Sequence, residues 1–418
     1  MASDKLKVIL LYSRLILSYG LTLLIQRIQA IAHKYSYRAI PSPLNVVIIG
    51  GSFTGIQLAR RLTESLPAGY RVVLVEKNSH FNHLFNFPRY SVSGDENKAF
   101  IPYGGLGKKA PKGIFSQVQD LAIGVDGNKN EVQLASGAKV KFEFLAIATG
   151  SKLPYPANVK SSTKEEGAKE LRSMQESIKA SQRIALVGGG AVGVQLASDV
   201  KSYYPEKDVT LIQSREVLLP AFGKRLHEHV SSKLGEMGIK LRLGERPVLP
   251  AVGVMEKTVT LAFKDGDVED FDLVIPCTGQ TPNSSIIGNL SPSILSKSGR
   301  INVKPTLQLQ GPAYSHIFAL GDVAETNGPK MARAGMMQSD IVVSNILSLI
   351  KGKEATTQYK PHFAEGALAL SLGRDASVMY VQENDAKDYL IPAKGKGDDL
   401  DVVRMWKHMG ADIKDFCV

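Results

Sequence analysis

Two glycine-rich turns carry the residues best suited to chemistry in this 418-residue chain. The first reads Gly50-Gly51-Ser52-Phe53-Thr54-Gly55, and Glu76 follows 21 residues after Gly55. The second reads Gly188-Gly189-Gly190-Ala191-Val192-Gly193, with Gln213-Ser214-Arg215 beginning 20 residues later. A first glycine permits a tight turn, and a last one lets a helix pack closely on its strand. The free N–H groups and positive dipole of the helix start then hold a pyrophosphate. An acid some 20 residues on accepts from the adenosine ribose hydroxyls. Gly50, Gly51, Ser52, Gly55 and Glu76 therefore read as one dinucleotide site, and Gly188, Gly190 and Gly193 as another. Ser52 replaces the usual middle glycine; its hydroxyl can bond a phosphate while the backbone stays approachable. At the second site the acid is missing. An acid there bonds a ribose 2′-hydroxyl and repels a 2′-phosphate, whereas Gln213 followed by Ser214 and Arg215 removes the repulsion and adds donors. This predicts that NADPH is accepted and slightly favoured over NADH.

Each turn sits where the chemistry needs it. Asn45–Ile49 and Arg71–Glu76 have the apolar run of buried strands, and Ile56–Leu62 between them has helical periodicity. Ile184–Val187, a helix from Val194 toward Tyr203, and Val209–Ile212 repeat the pattern 138 residues further on. One such turn is weak evidence; two copies, each between a strand and a helix, are strong. Further strands end in glycine-bearing turns: Phe144–Gly150 in Ala-Thr-Gly (with Thr149 and Gly150), Leu273–Gly279 in Cys-Thr-Gly (with Gly279), and Ile317–Asp322 in Gly321-Asp322. The alternation of strands and helices predicts an α/β fold.

This order of motifs resembles the two-dinucleotide-domain flavoprotein reductases, and within them the apoptosis-inducing-factor-like flavoproteins. The segments Gly188–Ser214 and Gly321–Ile346, Asn283-Ser284-Ser285 and Trp406-Lys407 carry the likeness, which covers most of residues 44–410. The resemblance implies two Rossmann-like domains of the glutathione-reductase type: an FAD domain from 44–154 and 286–355, and an NAD(P)H domain from 155–285. A small α+β part, 356–418, would cover the acceptor side of the flavin. By the same resemblance, Asp322 bonds the flavin ribityl chain. Lys330-Met331-Ala332 open a helix that faces the flavin pyrimidine edge, Val118 lies against the adenine, and Phe87-Pro88-Arg89 lie near the flavin. The catalytic candidates are Gln195 and Lys330. Gln195 stands where the family usually has a glutamate; Asp199, one turn on, keeps an acid. No Cys-x4-Cys pair follows the first unit, so electrons are expected to pass from flavin straight to a small hydrophobic acceptor. A quinone is expected; a biosynthetic intermediate, or a nucleotide-sensing role with incidental turnover, are the alternatives.

The remaining features are compositional. Of the net charge of +11, residues 1–40 contribute +5: Lys5, Lys7, Arg14, Arg27, Lys34 and Arg38 against Asp4. No cationic cluster is interleaved with aromatics, so no nucleic-acid partner is expected. Two cysteines and eight scattered histidines give no metal-ligand spacing, and no metal is expected. Cys277 reads as structural and Cys417 as unpaired. His80 and His83 read either as a flavin contact or as part of a polar loop, and His227 and His229 as a solvated helix face. Val8 to Ile25 is apolar, and Lys7, Arg14, Ser18, Thr22, Gln29 and His33 share one helical stripe. This helix, 1–40, is expected to anchor the chain to an intracellular membrane surface. It would either span the bilayer or lie in-plane with Arg14 reaching the headgroups; packing on the protein's own body and a targeting role are the alternatives. Ala2 excludes N-myristoylation. Toward the C-terminus, Ala364–Leu370 and Ser377–Val381 read as strands before a basic Trp-bearing tail.

Overall fold

The computed structural model describes residues 3–108, 110–249, 258–395 and 397–417. The side chains of Arg14, Ser18 and Cys417, which the sequence analysis placed on the polar stripe and at the unpaired thiol, lie outside the described residues.

The chain opens with a 33-residue helix, α1 (Asp4–Ser36), capped by the Ser3 hydroxyl. It then enters β1 (Leu44–Ile49), α2 (Phe53–Thr63) and β2 (Tyr70–Glu76). Val46, Val47 and Ile48 of β1 are completely buried, as a strand covered on both faces requires. A short buried helix, α3 (Phe87–Ser93), precedes β3 (Phe115–Gln119) and β4 (Phe144–Ile147). β4 stops before Ala148 because the Ala-Thr-Gly turn begins there, with Gly150 at φ +64°.

The next segment repeats this pattern: β5 (Ser151–Lys152), α4 (Lys164–Ala180), β6 (Arg183–Val187), α5 (Ala191–Tyr203), β7 (Asp208–Gln213), α6 (Lys224–Glu236), β8 (Lys240–Leu243), β9 (Leu273–Pro276) and β10 (Thr281–Pro282). After it, β11 (Ile317–Ala319) and α7 (Ala332–Ile350) return to the first unit. The first sheet has the order β11-β4-β1-β2-β3, and the second β8-β7-β6-β9. Every pairing in both is parallel. Short antiparallel β5 and β10 join the two units, Ser151 pairing with Pro282 and Lys152 with Thr281. Each sheet lies in its own apolar core, one centred on Val46, Ile48 and Leu74, the other on Ile184, Leu186 and Leu211.

The C-terminal part is a three-stranded antiparallel sheet, β12 (Leu368–Leu372), β13 (Ala376–Asn384) and β14 (Lys387–Lys394), followed by α8 (Val402–Met409). One expectation is corrected here. Residues 364–366 are not strand but part of a 3-10 turn, Phe363–Gly366. Arg333, in the first turn of α7, donates to the carbonyls of Ala364 (2.6 Å) and Ala367 (3.1 Å), taking up the groups a strand would offer. The Trp-bearing tail is a packed helix: Trp406 is fully buried, and its indole N–H donates to the Lys98 carbonyl at 2.8 Å. Burying a side chain of that size contributes about 3 kcal/mol, which a solvated tail would forgo.

Candidate cofactor sites

At the first turn, Gly50 has φ +102°, and a Cβ there would drive into the Ala148 carbonyl. A Cβ on Gly55 would drive into the carbonyl of Gly50, which is why helix and strand come so close. Ser52 caps α2 with φ −85° and makes no side-chain capping bond. The peptide of Gly51 is held from both sides. Its N–H donates to Glu76, and its carbonyl accepts from the Tyr103 hydroxyl at 2.8 Å. The other Glu76 oxygen accepts from the Asn78 N–H at 2.8 Å. Each carboxylate oxygen keeps a second lone pair, which a ribose hydroxyl can use. Burial pushes the Glu76 carboxyl up, and the two backbone bonds work against that. Tyr103, which the sequence analysis did not single out, is pushed well up by burial, with the Glu76 charge adding to it.

The second turn repeats this geometry with different chemistry. Gly188 has φ +127° against the Cys277 carbonyl, and Gly193 lies over the carbonyl of Gly188. The Gly189 N–H donates to the Gln213 side-chain oxygen at 3.2 Å, as Gly51 does to Glu76. The Gly189 carbonyl accepts from the backbone N–H of Leu219 at 2.8 Å, as that of Gly51 does from Tyr103. Gly190 caps α5 at φ −80°, and a Cβ built there meets nothing within 4 Å. A side chain at this cap position therefore meets no neighbouring atom, which is consistent with Ser52 at the matching position of the first turn. Ser214 and Arg215 are exposed at the end of β7, and Gly279 is exposed on the facing turn.

Between the turns, three segments converge on the start of α7. A Cβ on Gly335 or Gly321 would meet the Thr54 hydroxyl of α2, and Gln338 accepts from the Gly321 N–H at 2.8 Å. Asp322 beside them is pushed up by burial and accepts from the Ser151 hydroxyl at 3.3 Å, which ties it to the strand pair joining the units. Thr149 donates its hydroxyl to the Asn283 carbonyl at 2.7 Å, and the Asn283 amide donates back to the Thr149 carbonyl at 2.9 Å. Met331 is the cap of α7 and Ala332 its first residue. Lys330 precedes the helix. Its ammonium donates to the carbonyls of Ala324 (2.8 Å) and Thr326 (3.2 Å) and to the Thr326 hydroxyl (3.1 Å). Burial pulls its pKa down.

Several expected residues lie elsewhere. Arg89 does not open onto a cofactor cleft. It is fully buried in α3, 2.8 Å from the carboxylate of Asp199 in α5, and donates to the carbonyls of Gly397 (2.6 Å) and Gly373 (2.8 Å). Asp199 is thereby committed to a structural pair; burial pushes its carboxyl up to about 6 against the pull of Arg89. Neither residue has solvent contact. Phe87 packs on Phe100 at 5.3 Å. Gln195 stays partly exposed on α5. Val118 is half-buried on β3, in register with Val75 and next to the Glu76–Gln119 pair. His83 is buried among Phe53, Phe81 and Phe85 rather than in a polar loop, and burial pulls its pKa down to about 4. His227 is not merely solvated: its Nδ1 accepts from the Leu218 N–H at 3.0 Å and braces the loop after β7. Cys277 is a buried free thiol pushed up to about 12 by burial, so it is no nucleophile at neutral pH.

Paired glycine turns, an acid under one and an amide under the other, and a helix start between them define a flavoprotein reductase. The chain belongs to the pyridine nucleotide-disulphide oxidoreductase family, whose description matches residues 44–339. It is 36% identical over 394 residues to Fe-regulated protein 8 of Mycosarcoma maydis, covering 88% of this chain and 96% of that one. It is 33% identical over 379 residues to ferroptosis suppressor protein 1 of Homo sapiens, again covering 88% and 96%. The sulfide:quinone oxidoreductase of Aquifex aeolicus shares the fold, with a TM-score of 0.68 at 18% identity, over 87% of this chain and 90% of that one. The protein is an FAD-dependent NAD(P)H oxidoreductase. The first turn fits FAD: the start of α2 follows glycines that leave no room for a Cβ, and the Glu76 carboxylate beside it keeps lone pairs for a ribose hydroxyl.

Proposed function

We propose that this enzyme reduces a hydrophobic acceptor, a quinone, at an intracellular membrane surface, drawing electrons from NADPH in preference to NADH. Bound FAD supplies a ring that takes a hydride from the nicotinamide and passes the electrons on. In total, NADPH, a proton and a quinone give NADP⁺ and a quinol.

The chain's own residues bind and orient. Gly50, Gly51, Ser52 and Gly55 at the start of α2 hold the FAD pyrophosphate, and Glu76 accepts from its ribose, with Val118 against the adenine. Thr149, Gly150, Gly321 and Asp322 hold the ribityl side. Met331 and Ala332 direct the N-terminal dipole of α7 at the pyrimidine edge, where it stabilises negative charge. Lys330 shapes the loop before that helix, since its donors are already engaged. Gly188, Gly190, Gly193 and Gly279 receive the nicotinamide nucleotide. Ser214 and Arg215 take its 2′-phosphate, and Gln195 orients the nicotinamide by hydrogen bonding without charge.

One observation carries the choice of acceptor. The long apolar face of α1 is exposed, while Tyr12 on its inner side packs edge-on against Phe363 at 5.6 Å, in the turn that Arg333 holds to the start of α7. A greasy surface thus adjoins the flavin-facing helix. The quinone named for the Aquifex enzyme of the same fold fits this chemistry. The test is anaerobic bleaching of the bound flavin by NADPH and by NADH, then reoxidation by a short-chain ubiquinone analogue. Faster bleaching by NADPH and rapid reoxidation are expected. Equal or faster bleaching by NADH overturns the nucleotide assignment, and failure of every quinone to reoxidise overturns the acceptor.

A further inference from the structure

We propose that α1 lies flat in one leaflet as a foot bonded to the body at both ends, and does not cross the bilayer. This rests on the membrane-surface reading above and specifies how that surface is met.

The two ends of α1 are fastened to one globular body. At the N-terminal end, the Asp4 carboxylate is 2.7 Å from the Arg225 guanidinium and accepts from the Leu390 N–H at 3.2 Å. Val8, one turn on, is buried against Ala367 and Val381. At the other end, the His33 ring N–H donates to the Leu66 carbonyl at 2.7 Å, and the buried Tyr37 hydroxyl donates to the Tyr70 carbonyl at 2.9 Å. Thirty-three residues of helix run about 50 Å, and a hydrocarbon core is about 30 Å thick. A spanning helix would put its ends on opposite sides of that core. Here the partners at one end lie in β14 and at the start of α6, and those at the other in and just before β2, all in one folded body.

The outward face is what a leaflet would receive. Leu10, Leu17, Leu21, Leu24 and Ile28 recur at three-, four- and seven-residue spacings and are 55–76% exposed. Lys5, Arg27 and Lys34 are exposed along one edge of this ridge and Lys7 along the other. Asp4, the one acid among residues 1–40, is committed to Arg225. An apolar ridge flanked by cations is the pattern of a helix lying at the headgroup boundary of an anionic leaflet. Of the polar stripe, His33 turns to the body and Lys7, Thr22 and Gln29 stay exposed on the flank, beside the ridge. In this pose the Tyr12–Phe363 contact lies on the inner side of α1, between the lipid-facing ridge and the turn that Arg333 holds to the start of α7, so a hydrophobic acceptor has only the width of the helix to pass on its way to the flavin side.

The test uses the full-length holoenzyme and vesicles of phosphatidylcholine with and without phosphatidylserine. Binding that increases with phosphatidylserine is expected, and Leu17→Asp with Leu24→Asp should reduce the bound fraction roughly tenfold or more. The variant should keep its flavin and its turnover with a soluble quinone analogue, which shows that it is folded. For topology, Ser3→Cys and Ser36→Cys are made in a Cys417→Ser background and labelled with an impermeant maleimide added outside. Labelling at both positions on bound enzyme supports the flat foot. Protection of one position overturns it in favour of a span and leaves the membrane reading intact. Vesicle binding unaffected by the aspartates also overturns it. No vesicle binding, with self-association abolished by the same aspartates, overturns both, since the ridge is then a face for a second copy of the chain.

Discussion

The two nucleotide-binding units share a backbone and differ in charge. In both, the first glycine has positive φ against a neighbouring carbonyl, the last glycine lies on the first one's carbonyl, and the middle peptide is held at its N–H and its C=O. What holds it differs. In the first unit the acceptor is a buried carboxylate, Glu76, and the donor a tyrosine hydroxyl from a distant segment. In the second the acceptor is a neutral amide, Gln213, and the donor a nearby backbone N–H, that of Leu219. Gln213 occupies the space of Glu76 without its charge, so the two turns differ in electrostatics more than in shape. The first unit is also walled by aromatics around a neutral histidine, whereas the corresponding loop of the second is open, with Ser214 and Arg215 exposed. That contrast suits a flavin retained through turnover and a nicotinamide nucleotide exchanged at each cycle.

The largest expected effect probes the walled side. Burial holds His83 neutral, with its pKa pulled down to about 4, against roughly 6.5 in an unfolded chain. Between those values the unfolded chain binds more protons. The stability due to the neutral ring is therefore complete above about pH 6.5 and is lost as pH falls toward 4, about 3 kcal/mol over the window. Denaturant unfolding at several pH values should show this slope, and His83→Asn should flatten it. An identical slope in the variant would mean that the ring is not the group being titrated.

Next comes the exchange of the two acceptors. Gln213→Glu should lower the kcat/KM ratio of NADPH to NADH by about 10- to 100-fold, since a charge-assisted or repulsive contact is worth roughly 1.5–3 kcal/mol. Flavin content should not change. Glu76→Gln should do the reverse, weakening flavin retention by a similar factor and leaving nucleotide choice alone. If Gln213→Glu does not move the ratio, the second unit does not read the ribose at this position.

The smallest effect sharpens the same contrast. Tyr103→Phe strips the buried Gly51 carbonyl of its donor at a cost of about 1–2 kcal/mol. Flavin affinity should fall roughly tenfold with apparent NADPH affinity unchanged, because the second unit makes the equivalent bond with its own backbone. Titration of the deflavinated protein with FAD measures it.

What could be read from the chain without its fold follows the range of each interaction. Gly50, Gly55, Gly188 and Gly193 were legible because a strand–turn–helix is a local object, and Glu76 and Gln213 because the second strand brings the chain back at a fixed distance. The start of α7 at Met331 and Ala332 came from the resemblance to the flavoprotein reductases, and the helix begins there. Arg89 was misplaced: its partner Asp199 is 110 positions away, and only packing of α3 on α5 shows the two neutralising each other. Tyr103 is 52 positions from Gly51, and no spacing rule joins a tyrosine to a phosphate turn at that distance. His83 reads as a polar-loop residue or a flavin contact from its sequence neighbours; its burial was settled by Phe53 from a distant segment as well as by Phe81 and Phe85.

The amino-acid order by itself determined the two parallel units, the charge difference between Glu76 and Gln213, the missing thiol pair and the apolar character of the first helix. All of these are properties of single residues or of short periodic segments. Tertiary structure alone decided which polar groups are already engaged, as with Lys330, Arg89 and Asp199, which hold the fold together. It also decided that both ends of α1 are bonded to one body, because hydrogen bonds and ion pairs form between side chains brought together only once the chain has closed on itself.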